Sequence, residues 1–195
     1  MHGSRVRPLT ALVLVSALVV GGLSLTYAAW MQPLLEADIA AAEGRAGDAL
    51  AKYREAEDRL GQTAATRVLF ADAYASAVHN QLQLLYRSAA YDALLEKAAT
   101  APAGAAPHFW AGLALIRMGM AEGNAQTQVT WFTRAEEELR EALRARPDDW
   151  DTKVNYEIAA RIVSELRRQP SKRSEELMQL LRPQPSSGPA PRKVG

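Results

Sequence analysis

The chain of 195 residues contains no cysteine. Disulfides, thiolate nucleophiles and cysteine-based zinc sites are therefore excluded, while the redox compartment stays open. Aromatic residues make up only 7% of the chain. Branched apolar runs are short outside the N-terminus, and no stretch alternates apolar and polar residues as a half-buried strand does. There is no Gly-rich phosphate loop, no Gly-x-Ser-x-Gly and no His-Glu-x-x-His. The three histidines, His2, His79 and His108, are too far apart in sequence to form a helical metal pair. His79 reads as a structural or solvent-facing residue, and His108, after Pro107, as helix-start packing. An enzyme needs convergent polar groups, and no such set is evident, so none is assigned as catalytic, cofactor-binding or metal-ligating.

Charge is missing from one long stretch. Leu9 to Met31 holds no charged residue over 23 positions. A helix of about 20 residues is about 30 Å long, the thickness of a bilayer's hydrocarbon core. Residues 9–31 are therefore predicted to be a transmembrane signal anchor. Arg5 and Arg7 precede it, and the next basic residue is Arg45. The positive-inside rule then leaves residues 1–8 in the cytoplasm and the rest in the periplasm, a single-pass topology in a bacterial inner membrane. Tyr27 and Trp30 fall where an interfacial aromatic belt would lie. The competing reading is a cleaved leader, for which Thr26-Tyr27-Ala28 offers a small-x-small site. The apolar run is long for that, and aromatics crowd the cut.

What remains is helical in pattern. The net charge of +1 hides a split: Gln32 to Leu166 has 14 basic against 20 acidic residues, and Arg167 to Gly195 has 7 against 2. Val68, Ala71, Ala75, Val78, Leu82, Leu85 and Ala89 recur at spacings of three and four, the seam of a helix predicted to open at Gln62 or Thr63 and run to about Ala89. Phe132, Ala135, Leu139, Ala142 and Leu143 form a second stripe. Val154, Ile158, Ile162 and Leu166 form the apolar edge of a third helix over Trp150–Leu166, with Asp148 or Asp149 as its N-cap. Breaks fall at Gly44–Gly47, Gly61, Thr100–Pro107, Gly119–Thr127 and Arg146–Asp149. Glu136-Glu137-Glu138 reads as a charged helix face, because neighbours on a helix diverge by about 100° and cannot converge on one ion. Asp148, Asp149 and Asp151 lack the Gly and Glu of a calcium loop. Residues 183–195, rich in proline, are predicted to be disordered. The basic tail has no interleaved aromatics, so nucleic acid is not an expected partner.

Three places carry a resemblance. Ala49-x-x-x-Tyr53-x-x-Ala56 has the spacing of the second helix of a tetratricopeptide repeat, in which small residues let two helices close up and an aromatic fills the gap. Ala135-x-x-x-Leu139-x-x-Ala142 repeats it, with Pro147 in the place of the closing proline. Trp110-x-x-Leu113-Ala114 resembles the start of a first helix, and Tyr91 and Leu94 are weaker anchors. The unit is about 34 residues. Trp110 to Ala135 is too long for it, so Gly119 to Thr130 reads as an insertion. The resemblance implies an all-α chain: a transmembrane helix, then a degenerate tetratricopeptide-type helical-hairpin domain over 34–182. A plain helical bundle satisfies the same periodicity. The junction Arg146-Pro147-Asp148-Asp149-Trp150 with Asn155-Tyr156-Glu157-Ile158-Ala159 is similar to one in membrane-tethered repeat proteins encoded beside MoxR-type ATPases and von Willebrand A-domain proteins, among them accessory proteins of methanol dehydrogenase clusters. It implies protein partners, either components of such an ATPase/von Willebrand A-domain system or a periplasmic dehydrogenase, and a role as assembly factor. A subunit of a membrane complex, approached by partner helices at Gly21, Gly22 and Ser24, is the other reading, although the spacing is not GxxxG.

Overall fold

A computed structural model describes the chain over residues 8–181, with side chains over 12–22 and 24–168. Arg5, Arg7 and the tail predicted to be disordered lie outside the described residues. Among the described residues the chain is all-helical, with no strand. The helices are α1 (Pro8–Ala42), α2 (Ala46–Gly61), α3 (Ala64–Leu69), α4 (Ala71–Arg87), α5 (Tyr91–Ala98), α6 (Pro107–Ala121), α7 (Ala125–Ala145) and α8 (Trp150–Leu181). A short 3-10 turn, Ala103–Ala105, precedes α6. The chain divides into two compact units, 1–114 and 115–195.

In the first unit, α1 is one helix from its apolar segment to Ala42. From Leu12 to Ala42 it is long and apolar enough to cross a membrane, and an 18-residue window within it has a mean hydropathy of 2.0. Two of its hydroxyls are turned inward on the backbone: Ser24 Oγ donates to the Val20 carbonyl and Thr26 Oγ1 to the Gly22 carbonyl, both at 2.8 Å. That removes two exposed donors from an apolar surface. The C-terminal turns of α1 bury Leu34, Ala37 and Ala40 against Ala49, Tyr53 and Ala56 of α2 and Ala77 of α4. Small side chains at these contacts let the backbones approach closely. Gly44, at φ +76°, closes α1: Arg45 N–H donates to the Ala40 carbonyl and Gly44 N–H to the Ala41 carbonyl. Ala89, at φ +57°, closes α4 in the same way, with Ala90 N–H on Leu85 and Ala89 N–H on Tyr86. A second cluster joins Val78, Leu82 and Leu85 of α4 to Leu94, Ala105, Trp110 and Ala114.

The predicted seam from Val68 to Ala89 is interrupted. Thr63 does open a helix, with a full capping box to Thr66, but that helix ends at Leu69. Phe70, at φ −116° and ψ 31°, breaks the ladder before α4. The break resets the phase, so Val68 is exposed, and α4 buries Ala77, Val78, Gln81, Leu82 and Leu85.

In the second unit, α7 packs on α8. Asn124 caps α7, its side chain accepting from Gln126 N–H and Thr127 N–H. Asp149 caps α8, accepting from Thr152 N–H at 3.1 Å. The insertion expected at Gly119 to Thr130 is mostly helix: only Glu122–Asn124 are non-helical between α6 and α7. The extra length extends the two helices. The predicted edge of α8 is also corrected. Val154 and Ile158 are exposed, and Thr152, Ala159 and Val163 are buried. A close helix pair selects small residues for its contact face, so side-chain size misreports which face is inside.

Candidate membrane joint and interaction surfaces

The sequence-predicted residues fall into three places. Ala49, Tyr53 and Ala56 share the buried face of α2, with Leu60 a turn further on. Tyr53 Oη donates to the Asp38 carboxylate at 2.6 Å, tying α2 to α1. Burial, and then the Asp38 carboxylate beside it, push the Tyr53 hydroxyl above its ordinary pKa. Trp110 and Ala114 are buried at the start of α6, and Leu113 is half-buried. Ala135, Leu139 and Ala142 are buried on α7 with Phe132. Pro147 is exposed in the turn after α7. It acts there by stopping the helix, since proline has no N–H to continue it, and it does not pack.

Tyr27 and Trp30 come together with a residue the sequence reading did not single out. The Phe70 ring stacks on Trp30 at 5.8 Å with planes 6° apart, and lies 5.7 Å from Tyr27. Proline supplies the second part of this joint. Pro33 sits inside α1. Lacking an N–H, it leaves the carbonyl four residues back without its helical donor. That carbonyl belongs to Ala29, and Arg59 Nη1 of α2 donates to it at 2.9 Å. Arg59 in turn pairs with Glu55, Glu55 with Lys52 and Lys52 with Glu36 of α1. Each of these pairs is partly exposed and weak alone. Together they run along the α1–α2 seam to the point where the apolar helix leaves the domain.

A polar cluster fastens three helices further from the joint. Gln81 of α4 is 1% exposed. Its Nε2 donates to the Tyr53 carbonyl at 3.3 Å and to Glu57 Oε2 at 2.8 Å. Lys97 of α5 reaches the same Glu57 oxygen at 2.5 Å. A buried amide would be costly unpaired, and here Nε2 has two partners. Arg54, Asp58, Glu96 and Thr100 border an open cleft above this cluster.

No family model, curated protein or solved structure matches the chain.

His79 is half-buried, with both the Ala105 carbonyl, at 3.1 Å, and Trp110 Nε1, at 3.3 Å, within reach of its Nδ1. The two rings meet edge-on at 5.4 Å. This is a packing arrangement at the foot of α6. Among the described residues, no group of three or more His, Asp or Glu side chains is placed to hold a metal ion. On α8, Trp150, Val154 and Ile158 are exposed at spacings of four, so they line one face of the helix.

Proposed function

We propose that the chain is a membrane-tethered scaffold for protein–protein interaction, an accessory or assembly factor for a periplasmic or membrane complex. The observation that carries this reading is the continuity of α1. The same helix that is apolar enough to span a bilayer supplies Leu34, Ala37 and Ala40 to the core of the domain. An anchor continuous with the core holds the first unit at a fixed height and angle, as a tether for recruiting components would require. The contact of Tyr27 with Phe70 favours an uncleaved anchor, because cutting after Ala28 would remove Tyr27 and leave Ala29 and Trp30 at a new N-terminus.

The packed helical pairs α1–α2, α4–α5 and α7–α8 support a tetratricopeptide-type reading, with α3 as an added turn. Repeat helices present extended surface rather than a closed pocket. The Trp150–Val154–Ile158 stripe supports binding, since contiguous apolar surface on a soluble domain marks contact sites. The partners we favour are components of a MoxR ATPase/von Willebrand A-domain system or a periplasmic dehydrogenase. Within that class the accessory protein type MxaK of methanol dehydrogenase clusters is similar in size and layout.

The test is crosslinking in native membranes, then purification of the full chain and mass spectrometry. The same few proteins should be recovered in fixed proportion, and Val154→Glu with Ile158→Glu should lower their recovery about tenfold, the loss of roughly 1.4 kcal/mol of binding. Recovery of the chain alone under all crosslinking conditions would overturn the scaffold reading.

A further inference from the structure

Val68 and Leu69, at the end of α3, are 78% and 77% exposed. They are more exposed than any large apolar side chain described in the apolar segment itself, where Leu18 and Leu25 reach 75%. Inside the first unit, two neighbouring side chains of this kind have no packing explanation. Their position supplies one. The next residue is Phe70, whose ring lies against Tyr27 and Trp30 of α1. Leu9 to Trp30 spans about 30 Å at 1.5 Å per residue, so Trp30 lies where a bilayer's hydrocarbon ends. Phe70 is therefore fixed at that level, and Val68 and Leu69 lie beside it in the chain.

We propose that α3 and Phe70 form an interfacial wedge, which inserts Val68 and Leu69 among the lipid headgroups and upper acyl chains next to the span. The proposal rests on the reading of α1 as a membrane anchor. Three further features fit it. In the capping box Thr63 Oγ1 accepts from Thr66 N–H and Thr66 Oγ1 accepts from Thr63 N–H, so this short helix can sit at the interface with two fewer bare donors. Arg67 is drawn back toward the body, where its guanidinium donates to the Gly61 carbonyl at 3.1 Å and lies over the Tyr74 ring at 5.7 Å. The cation nearest the tip is thus held off it. The aromatic trio Tyr27, Trp30 and Phe70 has the chemistry that bilayer interfaces favour, with large apolar rings and polar edges on two of the three. A lipid surface fits better than a protein partner because the apolar tip is continuous with the end of the span. The lateral contact would resist tilting of α1, since the domain would rest on the bilayer at two points.

The absence of cysteine makes the test direct. Single variants Val68→Cys, Leu69→Cys, Leu14→Cys and Asp48→Cys of the full chain would be labelled with a nitroxide and placed at one copy per lipid nanodisc. Collision with oxygen, which concentrates in lipid, is then compared with collision with a water-soluble nickel chelate. Labels at Val68 and Leu69 should favour oxygen, to a degree between Leu14 in the span and Asp48 in water. Labels at Val68 and Leu69 as open to nickel as Asp48, with Leu14 in lipid, would overturn the wedge and leave the anchor standing. Shielding of Val68 and Leu69 from both reagents would mean protein contact, and would overturn the wedge as well. Nickel access at Leu14 would overturn the anchor and the wedge together.

Discussion

Arg59 and Pro33 illustrate how one residue's defect becomes another's function. A proline in mid-helix orphans a carbonyl, here that of Ala29, and the guanidinium of Arg59 supplies the missing donor from α2. At the edge of a membrane an unpaired carbonyl costs more than it does in water. Arg59→Met should therefore destabilise the detergent-solubilised chain by about 1 kcal/mol. In a Pro33→Ala background the N–H is restored and the carbonyl has its helical partner, so the same change should cost markedly less. A double-mutant cycle of melting curves reads this coupling. Equal losses in both backgrounds would show that Arg59 acts only through its ion pair with Glu55. None of this was legible in the sequence, because the bond depends on a spatial neighbour 30 residues away. Ala49, Tyr53 and Ala56 were legible as one face, since small–aromatic–small at helical spacing is a local pattern. Phe70 was not, because its partners Tyr27 and Trp30 are remote in the chain.

Elements tell the same story about phase. The run from Val68 to Ala89 keeps spacings of three and four across a break that only Phe70's backbone reveals, so periodicity alone joined two helices into one. On α8 the larger apolar residues, Val154 and Ile158, marked the wrong face, because close pairing with α7 selects Thr152 and Ala159. Gly119 tests the same physics between α6 and α7. A Cβ at Gly119 would lie 2.9 Å from the edge of the Phe132 ring, and Phe132 is buried. Helix propensity favours Gly119→Ala by roughly 1 kcal/mol. Overpacking against an immobilised ring costs about 1–3 kcal/mol. The variant should thus lose stability in thermal unfolding. A gain would mean that the ring gives way and that the contact is loose.

At the scale of the whole molecule, a periplasmic tether requires that the apolar part of α1 be retained and that the domain project to the far side of the membrane. The helix has the length and the hydropathy to span, and its continuation forms part of the first unit's core. A reporter that is active only in the periplasm, fused after Gly195 and assayed after alkaline extraction of membranes, reads both properties at once. An active reporter that stays in the membrane pellet is expected. Activity that extracts into the soluble fraction would mean that the leader is cleaved and the tether lost. A silent periplasmic reporter beside an active cytoplasmic one would contradict the topology.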